Sequence, residues 1–402
     1  MKRLSNYLLL AGALVLGLVS CRKDTNGVFS GKGVPVINSI RTVSKTDTIP
    51  AGTITTYDST GVASTKPGYS SVTPVAFDST TATGNLSNTY AILGKNLGTT
   101  TKITLNGINI YFNRALNSDN VVVFTIPQNT PYGPGASNKL ILTTLYGTVT
   151  YNFTVLSPPP TIITLSDYNF IGGGTITLTG KGFSTVTKVN LKGTSDNATI
   201  TSRSDTVLKL KMPVTSVGIA PLVFTYQSGT VTSSQQFADL DNAYVIFANN
   251  NFQNGWSDAS WSGPSGVSTN TSYAGTASAE ATYPAGGWKI EGWANWWPGF
   301  AYSADYKYLT FWVKGGTVDH TLILVGDKVA GGYSQNTAAP AIQQIKVPAK
   351  VWTHFLIPLG TTNGELNYWA TGTTANQLGF FLQGQNDDVD ETYYFDEVAF
   401  VK

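Results

Sequence analysis

The sequence predicts an all-β protein made of several domains, and three observations predict it. The chain has 402 residues, and at about 100–200 residues per domain this length corresponds to about two to four domains. Short runs of alternating apolar and polar residues, separated by turn residues, recur along the chain, and no amphipathic helix of useful length appears. A segment near residue 94 also recurs near residue 180, which indicates two copies of one domain.

The composition excludes several classes of function. Charged residues make up 12% of the chain, about half of the usual share near 25%. The 25 basic and 23 acidic residues give a net charge of +2, with no basic run. Because nucleic-acid binding depends on neutralising phosphates, nucleic acid is not an expected partner. One Cys and two His also exclude a disulfide framework and a Cys/His zinc site.

The N-terminus has the pattern of an export signal over residues 1–20. Lys2 and Arg3 precede an apolar stretch of 12 residues that ends at Val19, and a membrane-spanning helix would need about 20. Its end, Leu18-Val19-Ser20-Cys21, resembles the lipobox of bacterial lipoproteins. That resemblance implies lipidation of Cys21, a linker over 21–34 and a mature protein held at a membrane through its acyl chains. An ordinary secretory signal with an incidental cysteine is the alternative.

The internal repeat keeps its register over a long span. Residues 94–107 and 180–193 are identical at seven of fourteen positions. The same offset of 86 also relates three further pairs, Asp119 and Asp205, Val121 and Val207, and Pro127 and Pro213. Two copies of one domain are therefore expected.

Each copy carries the signals of about seven short strands, which fit a small immunoglobulin-like sandwich. A Pro-x-Ile entry, a Gly-Lys-Gly-Phe turn and an Ile-Pro or Met-Pro before the last hairpin resemble the IPT/TIG immunoglobulin-like family. The resemblance covers 35–157, with a Thr- and Ser-rich insert at 42–87, and 158–238. It implies that the two domains act as spacers.

The last domain, residues 239–402, is set apart by its tryptophans. All nine Trp lie after residue 255, within these 164 residues. A β-sandwich of this size buries about two or three indoles usefully, because the indole N–H needs a partner. The surplus should be partly exposed, and exposed aromatic surface marks a binding site.

The chemistry of this surface favours a carbohydrate ligand. A pyranose ring stacks its C–H face on an indole, and its hydroxyls bond to amides. Single-stranded nucleic acid also stacks on aromatics but needs a positively charged groove. A Trp-rich core strand is the alternative for Trp288 to Trp297. The candidate ligand-binding residues are Trp256, Trp261, Trp288, Trp293, Asn295, Trp296, Trp297, Tyr333 and Gln383. In the strand Leu309–Val313 alternation places Trp312 opposite the core, and Trp352 is expected to close a sandwich edge.

Four segments of this domain resemble a carbohydrate-binding jelly-roll module: Val245-Ile246-Phe247, Leu309 to Gly316, Trp352 to Leu359, and Tyr394 to Val398. The predicted fold class is thus all-β, with two immunoglobulin-like (IPT/TIG) β-sandwich domains followed by a jelly-roll carbohydrate-binding β-sandwich. With the lipobox, this order of parts is similar to the surface glycan-binding proteins of Gram-negative polysaccharide-utilisation systems. The resemblance implies a non-catalytic, lipid-anchored protein on the outer face of the outer membrane. It would bind a neutral plant-type polysaccharide (β-glucan, xyloglucan or mannan class) on an aromatic platform, beside an outer-membrane importer.

Two rival functions are an enzyme and a purely structural or adhesive protein. A glycosidase needs two carboxylates about 5 or about 6.5–9.5 Å apart, and none of the acids that could serve lies in a motif predicting such a pair: Glu280, Glu291, Asp305, Glu365 and Glu397. His320 and His354 lack a neighbouring nucleophile and orienting acid. No cofactor is expected, except that a structural calcium ion could be held by Asp396 and Asp388.

Overall fold

The computed structural model describes residues 31–49, 53–57, 63–67, 71–261, 264–286, 289–335, 338–382 and 389–402. The regular structure of these residues is β-strand with four short 3₁₀ turns and no α-helix, which confirms the predicted all-β fold. The turns are Arg114–Leu116, Phe183–Thr185, Leu240–Asn242 and Ala341–Gln343. In this part of the chain no helix is long and apolar enough to cross a membrane.

The chain divides into two compact units between Pro159 and Pro160. The first unit contains twelve strands among its described residues. They are β1 (Val36–Ile49), β2 (Thr53–Tyr57), β3 (Ala63–Pro67), β4 (Ser71–Thr81), β5 (Thr83–Asn85), β6 (Thr89–Lys95), β7 (Thr100–Leu105), β8 (Ile108–Ile110), β9 (Val121–Thr125), β10 (Lys139–Thr144), β11 (Gly147–Asn152) and β12 (Thr154–Leu156).

The first unit is a sandwich of two four-stranded sheets, ordered β4-β1-β6-β9 and β11-β10-β7-β8, with β5 and β12 paired in parallel. The alternation seen in the sequence builds its core: Val122 and Phe124 of β9 and Leu140 and Leu142 of β10 are fully or almost fully buried. The Thr- and Ser-rich insert lengthens β1, which pairs with β4, and adds the antiparallel hairpin of β2 and β3.

The second unit begins with eight strands over residues 160–239, which we call the second repeat domain. They are β13 (Thr161–Leu165), β14 (Asn169–Phe170), β15 (Thr175–Lys181), β16 (Lys188–Leu191), β17 (Asn197–Arg203), β18 (Val207–Lys211), β19 (Ile219–Tyr226) and β20 (Gly229–Asp239). Their order is β13-β15-β18-β17-β16-β19-β20-β14, in which β17 joins β18 on one side to β16 on the other.

The two repeats share their strand order, which explains the sequence offset. The path β1-β6-β9 of the first unit corresponds to β13-β15-β18, and β11-β10-β7 corresponds to β20-β19-β16. The short parallel pair is also reproduced, because β14 pairs with the end of β20 as β5 pairs with β12. The repeated sequence therefore encodes a repeated fold.

The rest of the second unit, the C-terminal domain, contains fourteen strands among its described residues. They are β21 (Tyr244–Ala248), β22 (Asn251–Phe252), β23 (Ser257–Asp258), β24 (Ser265–Ser268), β25 (Ser278–Tyr283), β26 (Ile290–Ala294), β27 (Phe300–Ala301), β28 (Tyr308–Lys314), β29 (His320–Gly326), β30 (Gln344–Val347), β31 (Trp352–Pro358), β32 (Thr374–Ala375), β33 (Gln377–Leu382) and β34 (Glu391–Val401).

Two sheets of the C-terminal domain enclose an aromatic core. In the seven-stranded sheet the long strand β34 pairs with β21, β25 and β28, and β22, β24 and β31 extend it outward. The other sheet has the order β23-β26-β33-β29-β30, and β27 pairs with β32 in a small third sheet. Between the large sheets lie Trp293, Phe311, Phe380 and Phe395. The ring of Trp293 meets those of Phe380 and Phe395 edge to face at 6.0 and 5.4 Å.

A β-bulge interrupts β34 where the C-terminal domain contacts the second repeat domain. Glu397 has a φ of 49°, a left-handed conformation that is uncommon outside glycine. The Glu397 side chain accepts a hydrogen bond of 2.9 Å from the side-chain amide of Asn169 in β14. The bulge therefore presents a carboxyl group to the neighbouring domain.

Candidate functional site

The strand β26 ends in a loop whose two ends are fixed by one buried asparagine. The side-chain amide of Asn295 donates to the carbonyl of Asn254 at 2.9 Å and to the Tyr244 hydroxyl at 3.2 Å, and its carbonyl accepts from the Gly299 amide at 3.2 Å. Asn376 pairs with the Asn295 backbone in both directions. The residues between are thereby held as a defined loop. We call residues 295–302 the tryptophan loop.

The tryptophan loop exposes three aromatic side chains. Trp296 is 65%, Trp297 is 87% and Tyr302 is 56% exposed. Tyr302 packs edge to face on Trp369, with ring centroids 5.4 Å apart, and the Trp369 indole donates to the Phe300 carbonyl at 3.2 Å. Large aromatic rings held in water on a fixed loop give no packing benefit to the free protein, so they are suited to covering a ligand.

A shallow cleft of about 180 Å³ adjoins Tyr302 and Trp369. Tyr306 and Asn367 also line it and supply a hydroxyl and an amide. Burial raises the pKa of Tyr306, so its hydroxyl stays protonated and can donate. Lys307 lines the same cleft, but its ammonium group donates to the carbonyl of Ala304. This surface can therefore stack flat apolar faces and bond to neutral hydroxyls.

A second aromatic pair lies on the outer face of the five-stranded sheet. Trp261 is 45% exposed and meets Tyr333 with ring centroids 5.6 Å apart. Tyr333 lies directly on two strand glycines: a Cβ added to Gly292 would be 1.7 Å from its hydroxyl oxygen, and one added to Gly379 would be 2.9 Å from its ring. Among the described residues the Tyr333 hydroxyl has no hydrogen-bond partner, and burial raises its pKa.

The two aromatic groups lie at opposite ends of β26. The Trp261 amide donates to the carbonyl of Ile290, the first residue of the strand, whereas the tryptophan loop follows Ala294, the last. Four residue steps along a strand span about 13 Å. Trp296 and Trp297 thus form the candidate binding surface, and Trp261 and Tyr333 lie apart from it.

Three predicted ligand-binding residues are buried, and we correct that expectation for them. Trp256, Trp293 and Asn295 are 4%, 1% and 0% exposed. The indole of Trp256 donates to the Tyr244 hydroxyl at 3.2 Å, and β26 points Trp293 into the core. Neither ring has a free face for a sugar. Asn295 uses its amide to hold the tryptophan loop and therefore acts on the loop instead of on a ligand.

Four other predicted residues, Trp288, Gln383, Asp388 and Cys21, lie outside the described residues. The second proposed calcium ligand, Asp396, is buried. Its two carboxylate oxygens accept hydrogen bonds from the amides of Tyr273, Ala274 and Glu397 at 2.9–3.0 Å. The described residues contain no group of three or more His, Cys, Asp or Glu that could hold a metal ion. Asp396 thus fits a structural role, and the calcium ion stays a prediction.

Sequence reasoning missed Tyr302 and gave Trp369 no role. The available signal was position: Tyr302 follows Trp297 by five residues and comes two residues after Phe300, which is buried. The partner Trp369 lies 67 residues further along the chain. Only the pairing of β27 with β32 brings that segment close.

Comparison with known proteins identifies one of the domains. Residues 160–238 match the family described as IPT/TIG domain. An IPT/TIG domain-containing protein of Bacteroides ovatus is 28% identical over an alignment of 197 residues, with 47% of this chain and 33% of that protein covered. The chain therefore spans about a third of the length of this curated relative.

Solved structures similar to this chain include surface glycan-binding proteins. The surface glycan-binding protein PbSGBP-B from Prevotella bryantii is 16% identical, with 92% of this chain and 99% of that chain covered and a TM-score of 0.49. SGBP-B from a complex xyloglucan utilization locus in Bacteroides uniformis is 14% identical, with 79% and 96% covered and a TM-score of 0.35. SGBP-B of a Bacteroides ovatus mixed-linkage glucan utilization locus, in complex with a mixed-linkage heptasaccharide, is 15% identical, with 88% and 84% covered and a TM-score of 0.30. The family match is thus to the IPT/TIG domain family and covers residues 160–238.

Proposed function

We propose that the protein is a non-catalytic polysaccharide-binding protein of the cell surface. Its ligand is a neutral plant-type glycan of the β-glucan, xyloglucan or mannan class, which it captures for uptake. The exposure of Trp296 and Trp297 on a fixed loop carries this proposal. Two adjacent indoles with free faces match the apolar faces of successive sugar rings, and the fixed loop reduces the entropy lost on binding.

The electrostatics support a neutral ligand. The exposed side chains of the tryptophan loop, Trp296, Trp297 and Tyr302, carry no charge. The whole chain has a net charge of +2 with only 12% charged residues. A uronate or sulfate would need arginine or lysine donors in a defined fork or cluster. Hydroxyl groups need only the amides and hydroxyls that line the neighbouring cleft.

The placement of two acids supports binding without catalysis. Glu291 is fully buried in the C-terminal domain, and burial raises its pKa well above the ordinary value. Glu397 is 8% exposed at the contact with the second repeat domain. Neither of these two carboxyls is open to solvent, so neither is placed to act as the acid or base of a glycosidase on a bound polysaccharide.

The remaining parts of the proposal come from the N-terminal sequence. Lipidation at Cys21 would anchor the mature chain to the outer membrane with its binding domain outside the cell. An importer in the same membrane would then receive the captured glycan. Conversion of Cys21 to Ser, followed by fractionation and labelling with a fatty-acid probe, tests the anchor: the wild type should be labelled and the variant should not.

The binding proposal is tested with the chain from residue 22 onward. Affinity electrophoresis and calorimetry against neutral and acidic polysaccharides should show binding to a neutral glycan, and product analysis after long incubation should show no new reducing ends. We expect Trp297→Ala to weaken binding at least about tenfold, because stacking on its indole is lost.

Tyr111→Ala provides the matched control, since Tyr111 is 83% exposed but belongs to the first unit. Its affinity should equal that of the wild type. An equal loss of affinity in Trp297→Ala and Tyr111→Ala would contradict the proposed function. Absence of binding to every glycan, or release of sugars, would also contradict it.

A further inference from the structure

A cleft of about 630 Å³ lies where the second repeat domain meets the C-terminal domain. We call it the joint cleft. Gln235 and Gln236 of β20 line one wall, and Trp352 and His354 of β31 line the other. Its volume is within the range of about 300–1,000 Å³ that is typical of small-ligand sites. The cleft is separate from the tryptophan loop, none of whose residues lines it.

Strand geometry makes one wall of the joint cleft aromatic. In β31 the side chains alternate, so that Phe355 and Ile357 face the sandwich core while Trp352 and His354 face outward. The paired strand β28 adds Trp312 to the same outer face, opposite His354. Aromatic rings therefore face the second repeat domain across the cleft.

The opposite wall is polar because the bulged part of β20 lines it with Ser234, Gln235 and Gln236. The register between β19 and β20 shifts between Pro221 and Val223, and the Ser233 hydroxyl donates to the Gln235 carbonyl at 2.8 Å. Gln236 is exposed and Gln235 is partly exposed. Amide side chains on this wall face indole and imidazole rings on the other, which is the combination that suits a sugar.

The two walls are fixed relative to each other by direct contacts between the domains. The Trp312 indole donates to the Asp167 carboxylate at 3.0 Å, and the Thr310 hydroxyl donates to the side-chain carbonyl of Asn169 at 3.0 Å. The rings of Tyr168 and His354 stack with centroids 4.4 Å apart. A cleft of fixed width needs little reorganisation on binding, which favours affinity.

We propose that the joint cleft is a second binding site for a short stretch of neutral glycan, independent of the tryptophan loop. The sugar stacks on Trp352, and its hydroxyls bond to Gln235 and Gln236. This inference rests on the proposed function, since it assigns the same ligand class to a second place on the molecule.

The charge state of the cleft agrees with a neutral ligand. Burial lowers the pKa of His354 to about 3, so the ring is uncharged at neutral pH, and its Nε2 is paired with the Thr310 hydroxyl at 2.8 Å. Neither Lys nor Arg is among the described residues that line the cleft. Hydroxyl groups are therefore better suited to it than anions.

The test measures stoichiometry by calorimetry on the chain from residue 22 onward. The probes are a mixed-linkage β-glucan heptasaccharide and a xylogluco-oligosaccharide. The wild type should bind two equivalents. The double variant Trp296→Ala/Trp297→Ala should bind one, Trp352→Ala should bind one, and the combination should bind none.

Controls separate loss of a contact from loss of fold. Gln236→Ala removes only an exposed side chain and should weaken the second site by about tenfold without changing the melting temperature. Val351→Ala, beside Trp352 but outside the cleft lining, should bind two equivalents.

The outcomes distinguish this inference from the proposed function. One equivalent that disappears only in Trp296→Ala/Trp297→Ala overturns the joint cleft and leaves the proposed function standing. One equivalent that disappears in Trp352→Ala, weakens in Gln236→Ala and is kept in Trp296→Ala/Trp297→Ala supports the joint cleft and overturns the assignment to the tryptophan loop. Absence of binding to both probes, or two equivalents that survive Trp352→Ala with unchanged affinities in Gln236→Ala, overturns the second site.

Discussion

Two tryptophans four residues apart have opposite environments. Trp293 lies within β26 and is 1% exposed, while Trp297 lies in the loop that follows and is 87% exposed. The difference comes from the backbone: the strand directs Trp293 into the core, and the loop closed by Asn295 projects Trp297 into water. Residue type alone does not separate these two roles, but their exposed areas do.

Substitution of Trp293 should therefore affect stability, and substitution of Trp297 should affect glycan binding. Trp293→Ala should lower the free energy of unfolding by about 3–5 kcal/mol, because it leaves a cavity among Phe380 and Phe395. Trp297→Ala should change it by no more than about 0.5 kcal/mol while weakening glycan binding. Denaturant unfolding of both variants gives the comparison. A stable Trp293→Ala protein would mean that the core assignment is wrong.

Gly292 is required by the position of Tyr333. A Cβ at Gly292 would lie 1.7 Å from the Tyr333 hydroxyl oxygen, so Gly292→Ala should displace the ring and lower the free energy of unfolding by about 1–3 kcal/mol. Because that hydroxyl is buried without a partner among the described residues, Tyr333→Phe should be neutral or stabilising. In thermal melts, Gly292→Ala/Tyr333→Phe should be more stable than Gly292→Ala alone. If the stability changes of the two single variants add fully in the double variant, this contact is refuted.

At the scale of elements, the sequence predicted the repeat well and the tryptophan platform only in part. The offset of 86 corresponds to a shared strand order, because turn residues and alternation are local signals. The sequence predicts one surface from Trp288 to Trp297, with a Trp-rich core strand as the alternative, whereas β26 directs Trp293 inward and the chain leaves the sheet at Asn295. Where a strand ends depends on its partner β33, which local sequence does not reveal.

The bulge of β34 predicts a pH dependence. Burial, followed by the neighbouring charge of Asp167, raises the pKa of Glu397 to about 9, compared with about 4.3 for glutamate in an unfolded chain. Between these values the folded state keeps a proton that the unfolded state has released. The contribution of Glu397 to stability should therefore fall as pH rises from about 4.3 to about 9, by at most about 1.4 kcal/mol per pH unit.

From pH 6.5 to 9, above the pKa of about 6 to which burial raises Asp167 and Asp396, the difference between the wild type and a Glu397 variant reports on Glu397. His354, whose pKa burial lowers to about 3, acts in the opposite direction only below pH about 6.5. Unfolding free energies should fall less steeply across the window in Glu397→Gln than in the wild type. Exposed Glu365→Gln should keep the wild-type slope, and identical slopes in all three proteins would exclude a protonated Glu397.

At the scale of the whole molecule, the proposed sites belong to the second unit. The all-β class follows from the alternation of apolar and polar residues and from the turn residues. The IPT/TIG domain comes from the resemblance of particular motifs, such as Gly-Lys-Gly-Phe, and the family match covers residues 160–238. The joint between residues 160–238 and the C-terminal domain could not be predicted. It depends on contacts between distant segments, such as Asn169 with Glu397 and Asp167 with Trp312.

Truncation tests this organisation. Residues 160–402 form one compact unit, so we expect them to bind the heptasaccharide within about twofold of the full chain. Residues 239–402 alone lose the partners of Trp312 and Glu397 and should melt at a lower temperature. An equal melting temperature for the two fragments would contradict a stabilising joint.

The central claim is that Trp296 and Trp297 contact the glycan, and indole N–H resonances test it most directly. The chain from residue 22 onward has nine tryptophans, and single Trp→Phe variants assign their signals in a nitrogen-15 correlation spectrum. On titration with the mixed-linkage heptasaccharide, the signals of Trp296 and Trp297 should shift with saturation, while those of Trp256 and Trp293 stay in place. Saturable binding that leaves Trp296 and Trp297 unshifted would contradict the account.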